Sequence, residues 1–365
     1  MTRRYSVVDA FSGAGGLSLG MLAAGLDVLY SFDNDRLCVS TQQANPQYLK
    51  HTVECVGIEE LLDVSVFDRI GLKRGQLFLL AGGPPCQGFS VQRIGSDCDD
   101  RNNLVMKYIE LAGLLQPEYV LMENVPGLRG KRGRHVLESA LGRLEQLGYS
   151  VISGELDAQK FGVPQRRRRI FVFAERDPVW MVPLTLPDLN CPRVTVRETI
   201  GWLPPVSLTG AGKDSEISLH RADRLTPINI QRLRALKEGQ GREFLPKDLL
   251  ATCHLRDAAT IGHRNVYGRM SWDEVAPTIT ARFDSFTRGM FGHPEQIRSI
   301  SLREGALLQT FPLDFAFEGN KVDIARQIGN AVPVKFAEGL GRHILKHHQK
   351  KLAMETGVQG ARVNS

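Results

Sequence analysis

Five short apolar runs, interleaved with stretches of helical periodicity, fill the first 175 residues, and this alternation constrains the fold more than any other feature. The runs are Ser6–Phe11, Val28–Phe32, Leu77–Ala81, Tyr119–Glu123 and Ile170–Ala174, and Gly16–Ala24, Leu104–Leu115 and Val136–Leu147 carry the helical pattern. Strands alternating with helices of this length predict an α/β fold with a doubly wound, mostly parallel sheet, since parallel neighbours need a long crossover between them.

After Arg176 the texture changes. Pro178, Pro183, Pro187, Pro192, Pro204 and Pro205 cut the chain into short pieces, and polar loops follow to about Arg269. Residues 178–290 therefore read as a second, smaller and irregular domain. Helical periodicity returns at Ser301–Gln309 and Val334–His347, so residues 1–177 plus 291–350 form the α/β domain. Residues 351–365 lack an apolar pattern and read as a flexible tail. A chain of 365 residues has room for one large and one smaller core. No apolar run approaches the roughly 20 residues of a membrane span, and Met1–Tyr5 carries no signal-peptide core, which points to the cytoplasm. None of the six cysteines forms a Cys-x-x-Cys pair, which argues against structural zinc, and no metal site is expected. The net charge of +6 is compatible with a polyanionic partner. Its distribution says more: Arg166–Arg169 is an unbroken basic run, and Arg129, Lys131, Arg132 and Arg134 cluster after Asn124.

The first run ends in Asp9-Ala10-Phe11-Ser12-Gly13-Ala14-Gly15-Gly16, ahead of a helical stretch. Glycines there let the backbone turn sharply and approach a ligand at the helix N-terminus. Asp33 closes the next strand about 20 residues on, where an acid can accept hydrogen bonds from ribose hydroxyls. Dinucleotide sites use the same geometry, but their loop faces a pyrophosphate. The acids Asp9 and Asp33 suit S-adenosylmethionine, which has no phosphate and carries a positive sulfonium.

The third run leads into Gly82-Gly83-Pro84-Pro85-Cys86, and the next ends in Glu123-Asn124-Val125-Pro126. Two glycines and two prolines fix the backbone so that a thiol projects from a strand end, and a doubly wound sheet places neighbouring strand ends on one rim. A thiolate and a carboxyl together can activate a pyrimidine. Thiolate addition at carbon 6 of cytosine makes carbon 5 nucleophilic, and a carboxyl at ring nitrogen 3 eases that addition. Arg167 and Arg169 would help populate the thiolate.

Asp9–Gly16, Pro84-Pro85-Cys86-Gln87, Glu123-Asn124-Val125 and Gln165-Arg166-Arg167-Arg168-Arg169 resemble the ordered motifs of the DNA cytosine-5 methyltransferases. Asp99-x-Arg101-x-x-Leu104, Arg303-Glu304, Leu308–Pro312 and Gln327-x-Gly329-Asn330-Ala331-Val332 extend the resemblance over nearly the whole chain. It implies the S-adenosylmethionine-dependent methyltransferase fold and methylation of carbon 5 of cytosine in a short double-stranded DNA sequence. It further implies that the target base is flipped out of the duplex and joined transiently to Cys86. Phe11 is implied to stack on adenine, Ser12, Gly13, Ala14, Gly15 and Gly16 to cradle the methionine part, and Asp33 with Asn34 to hold the ribose. Pro84 and Leu104 would line the cofactor cleft, and Asn330 and Val332 would close it. Glu123 would hold the cytosine and Arg167 its carbonyl oxygen, while Gln165 and Arg169 order the site. Residues 178–290 become a target recognition domain. The resemblance further implies a monomer, acting beside a cognate restriction endonuclease or as an orphan modification enzyme.

Three positions depart from the family pattern. Asp33 stands where Glu is common, the acid that touches the adenine amino group is replaced around Glu54-Cys55, and Gln76 or Leu77 replaces an Asp before the third run. Three rivals remain at this point: an RNA cytosine methyltransferase of the same fold, a nicotinamide oxidoreductase, and a DNA-binding module without catalysis. His263, Arg264 and Arg269 could contact DNA, and no sequence-specific role is assigned to them.

Overall fold

A computed structural model of the chain describes residues 5–85, 103–178, 182–206, 216–251 and 266–363. The described residues fall into two compact units. The first, residues 1–157, 168–190 and 334–365, holds a seven-stranded sheet. Its strands are β1 Ser6–Ala10, β2 Asp27–Asp33, β3 Thr52–Cys55, β4 Leu79–Gly82, β5 Tyr119–Asn124, β6 Tyr149–Asp157 and β7 Arg168–Arg176, in the order β3-β2-β1-β4-β5-β7-β6. All neighbouring pairs are parallel except those made by β7, which runs against both β5 and β6. The helices α1 Gly16–Ala23, α2 Arg36–Gln43, α3 Val66–Ile70, α4 Asn103–Leu115 and α5 Arg134–Gln146 connect the strands, and α10 Val334–Val363 returns to pack on α1. Every residue of β1 is buried, and Val8, Leu80, Val120 and Val172 share one core with Tyr108, Ile109 and Ala112 of α4. The expected α/β, mostly parallel sheet is observed.

The second unit comprises residues 158–167 and 191–333, with helices α6 Val196–Ile200, α7 Pro227–Ala235, α8 Leu302–Leu308 and α9 Lys321–Asn330. This partition differs from the one read in the sequence, because 291–333 and the short stretch 158–167 pack with 191–290. The cause is a set of buried cations. Arg298 makes two 2.7 Å contacts to Glu304 of α8, both side chains being 1% exposed. Arg303 donates to the carbonyls of Ser218 and Phe315, binding three separated segments together. Gly329 of α9 lies so close to Thr280 that a Cβ would sit 2.2 Å from its backbone, so the approach of these segments requires glycine.

Residues 351–363 also differ from expectation, since they continue α10. The sequence lacked an apolar stripe there because the helix docks through charge. His347 lies 3.0 Å from Glu175, His348 3.0 Å from Glu118, and the buried Lys351 3.2 Å from Glu175.

Two buried carboxylates give opposite pH signatures. Asp9 in β1 is fully buried; Ser18 donates to one oxygen at 2.6 Å, and the other has no partner among the described residues. Burial, assisted by the charge of Asp33, raises its pKa to about 7. Between about pH 4 and 7 the unfolded chain has lost this proton while the folded chain keeps it, so stability falls as pH rises. Asp9→Asn should therefore gain several degrees in Tm relative to the parent between pH 5 and pH 8, and a pH-independent difference in thermal melts would contradict this. For Glu304, burial pushes upward, but the Arg298 guanidinium outweighs it and holds the carboxyl at about 2. That contribution is full above the ordinary carboxylate range and is lost as pH falls toward 2. Arg298→Met should cost about 3–5 kcal/mol by leaving a buried charge unpaired, and Arg298→Met with Glu304→Leu should recover most of it in denaturant titrations.

Candidate active site

In a parallel sheet all strand C-termini open onto one rim, and here β1, β2, β4 and β5 deliver Phe11, Asp33, Gly83 and Glu123 to it. Because β7 is reversed, its beginning reaches the same rim. Asn124 pairs with Ile170 and Glu123 with Phe171, so Arg169 emerges where β5 ends.

At the end of β1, Phe11 adopts φ 57°, a left-handed conformation that costs a side chain about 1–3 kcal/mol. The turn leaves its ring half-buried against the core, 5.9 Å from that of Phe32. Gly13 has φ 52° and Gly15 φ 86°. A Cβ on Gly15 would meet Leu49 at 2.9 Å, whereas one on Gly13 would point into space with nothing within 4 Å. The loop is closed on the protein side and open on the other. Asp33 Oδ2 accepts the Gly13 N–H at 2.9 Å and its Oδ1 accepts the Asp35 N–H at 2.8 Å, which fixes the carboxylate beside the loop. Asn34 is exposed next to it; Ser12, Ala14 and Gly16 are buried, and Ser12 donates to the Phe32 carbonyl. The N–H of Gly15 goes to the Ser12 carbonyl. With Gly13 and Gly15 N–H groups committed internally and two acids nearby, the loop is ill-suited to a pyrophosphate. It fits an adenosine cofactor without phosphate.

Around the adenine position left open by the sequence, Glu54 is taken. Its carboxylate accepts from Tyr30 at 2.5 Å and pairs with Arg69. Leu104 on α4 is half-buried against the core, and Pro84 is buried just beyond β4. Asn330 and Val332 belong to the second unit, where Asn330 is exposed at the end of α9 and Val332 half-buried.

Glu123 and Arg169 form the ionic centre of the rim. Arg169 Nε lies 2.8 Å from Glu123 Oε1, with both side chains 14% exposed. The other oxygen, Oε2, faces Gly83, whose Cβ would lie 3.3 Å away. Asn124 donates to the Pro84 carbonyl at 3.0 Å, tying the end of β5 to the backbone that leads into Cys86. Cys86 itself, with Asp99 and Arg101, lies outside the described residues.

The five-residue basic motif divides by side. Gln165 and Arg167 are buried and Arg166 and Arg168 exposed. Arg167 donates to the carbonyls of Ile279, Gly329 and Ala331, and Gln165 donates to the Leu308 carbonyl and accepts from the Ile279 N–H. Arg169 is the arginine of this motif that pairs with Glu123. Alternation sets Gln165, Arg167 and Arg169 apart from Arg166 and Arg168 but leaves Arg167 and Arg169 on one face; what divides those two is that Arg167 precedes β7 and is spent on backbone carbonyls. Arg269 is also committed. Its buried guanidinium donates to the carbonyls of Leu233, Leu236, His293 and Gln296, so it is a structural cation. His263 and Arg264 lie outside the described residues. Gln42, which drew no attention in the sequence, touches the glycine loop directly.

Comparisons with known proteins agree with this geometry. The family described as C-5 cytosine-specific DNA methylase matches residues 5–346. The Type II methylase M.HgiDII of Herpetosiphon aurantiacus is 36% identical over 349 residues, covering 93% of this chain and 94% of the relative. The Type II methyltransferase M1.HphI of Haemophilus parahaemolyticus is 33% identical, covering 93% and 86%. Among solved structures, a DNA modification methyltransferase encoded within an Escherichia coli prophage shares the fold at TM-score 0.70 and 24% identity, over 94% of this chain and 99% of the other. The chain belongs to the C-5 cytosine-specific DNA methylase family and is a DNA (cytosine-5)-methyltransferase.

Proposed function

We propose that this enzyme methylates cytosine within a short specific sequence of duplex DNA, using S-adenosylmethionine, through base flipping and a transient bond between Cys86 and carbon 6. The observation that carries the proposal is the Glu123–Arg169 pair on the rim where β4 runs toward Cys86. The cofactor supplies an electrophilic methyl group when bound. Phe11, the Gly13–Gly16 loop, Asp33, Pro84 and Leu104 hold it from the first unit.

A cytosine inside the double helix cannot reach a recessed carboxylate, so the base must leave the stack. Arg169 pins one oxygen of Glu123 and leaves the other for the pairing edge of the base. The other oxygen of Glu123 relays a proton to ring nitrogen 3 as the Cys86 thiolate adds to carbon 6. The adduct would make carbon 5 the nucleophile for the cofactor's methyl group, with S-adenosylhomocysteine as the leaving group. Loss of the carbon 5 proton to solvent water then lets the carbon 6–sulfur bond break, which regenerates the Cys86 thiolate, and ring nitrogen 3 gives its proton back through Glu123. Arg169 also stands where a guanidinium can donate to the cytosine carbonyl, the role first assigned to Arg167.

The second unit is proposed to read the target sequence. Relatives named as Type II methylases support a restriction–modification setting, with an endonuclease acting on the same site. The enzyme is proposed to act as a monomer in the cytoplasm; no helix among the described residues is long and apolar enough to cross a membrane.

Labelled methyl incorporation into duplex DNA but not transfer RNA, followed by bisulfite mapping to one short motif, is the expected result; methylation of RNA alone would overturn the reading. Among variants, Glu123→Ala should lower kcat about 10²–10⁴-fold with DNA affinity retained. Arg169→Met should lose about 10²–10³-fold with little change in Tm, whereas Arg167→Met should lower Tm first. The reverse pattern for the two arginines would contradict the assignment.

A further inference from the structure

The Gly13 peptide is held from both ends. Its N–H goes to Asp33 Oδ2 at 2.9 Å, and its carbonyl accepts from Gln42 Nε2 at 2.7 Å. Gln42, on α2, is fully buried. Its amide nitrogen also donates to Ser12 Oγ at 2.8 Å, and its Oε1 accepts from Ser31 Oγ at 3.0 Å. Ser31 Oγ lies 2.9 Å from His51 Nε2.

Hydrogen-bond arithmetic fixes the direction of every proton in this chain. Ser12 gives its one hydroxyl proton to the Phe32 carbonyl, so it can only accept from Gln42. The Gly13 carbonyl can only accept as well. Both protons of the Gln42 amide are therefore committed, the amide cannot flip, and Oε1 must accept. Ser31 must then donate to Gln42, and His51 must donate through Nε2. Its Nδ1 is left bare, which agrees with a buried Nδ1 that has no partner among the described residues and with burial lowering the His51 pKa to about 4. The carbon skeleton of Gln42 also backs the loop, since a Cβ on Gly15 would lie 3.1 Å from its Cγ.

We propose that Gln42 is a positioning residue for the cofactor: with Asp33 it clamps the Gly13 peptide so that the open face of the glycine loop is preformed before S-adenosylmethionine arrives. The inference rests on the cofactor reading above. It implies that Asp33 does two things at once, bracing the loop with one lone pair and offering others to the ribose. It further implies that loop order is transmitted to Gln42 from Ser31 of β2 and from His51. Without the clamp, Gly13 and Gly15, both in left-handed backbone, would sample other conformations, and binding would have to order them.

Calorimetric titration of S-adenosylhomocysteine into the full chain tests this, together with KM values for S-adenosylmethionine and for DNA. Gln42→Met keeps the volume and removes every hydrogen bond; Kd and the cofactor KM should rise about tenfold or more while the DNA KM holds. Gln42→Glu should be worse, because it sets a carboxylate against the Gly13 carbonyl. Ser31→Ala leaves Gln42 and its two donated bonds in place but strips the buried Oε1 of its donor, so the amide is held less firmly. It should weaken binding severalfold, and it carries the test if the Gln42 variants do not fold. A lowered Tm with cofactor Kd within about twofold of the parent in the folded variants would reduce Gln42 to a packing residue and overturn the proposal. A parent protein that bound no S-adenosylhomocysteine at all would instead overturn the cofactor reading beneath it.

Discussion

The reversal of β7 is the constraint on which the site depends. Parallel strands deliver the glycine loop, Asp33, the segment leading to Cys86 and Glu123 to one rim, but a parallel seventh strand would carry Arg169 to the opposite edge. Running it antiparallel brings a guanidinium to the end of β5, within 2.8 Å of Glu123. The ion pair is only partly exposed, where such contacts are stronger than at an open surface. It also fixes which carboxylate oxygen faces Arg169 and which faces Gly83.

Around that rim the protein holds reactive or ligand-facing groups by committing everything behind them. Asp33 is braced by two backbone N–H groups, Gly13 by two side chains, and Asn124 secures Pro84. The second unit follows the same logic with different material. Arg167, Arg269 and Arg303 are buried and serve backbone carbonyls, and buried Arg298 serves the Glu304 carboxylate, which together hold an irregular region in place. A basic chain is therefore not simply a chain with many cations for DNA, because several of its arginines never face solvent.

The parallel sheet was legible because β1, β2, β4, β5 and β7 are apolar runs of the right length, and the Asp9–Gly16 loop and Glu123 fell at their ends as expected. β3 and β6 were not legible. Thr52–Cys55 is short and half-exposed, and Tyr149–Asp157 is an edge strand whose polar residues break the apolar run. The roles of Arg167 and Arg169 could not be divided from charge or from alternation, since the two share one face of the extended chain; the division comes from strand direction and from the carbonyls that claim Arg167. α10 was cut short for a related reason: its last docked turn uses Lys351 and two histidines against Glu118 and Glu175, a contact no hydropathy pattern marks. Gln42 was invisible because a buried glutamine looks like any other polar helix residue until its partners are known.

The most direct test of the account is mass spectrometry of the enzyme incubated with S-adenosylmethionine and a cognate duplex carrying 5-fluorocytosine, from which the carbon 5 substituent cannot leave as a proton. The account predicts a cofactor-dependent adduct that maps to the peptide containing Cys86 and is absent in Cys86→Ser. Methyl transfer to ordinary duplex DNA with no adduct, or an adduct on another cysteine, would contradict it.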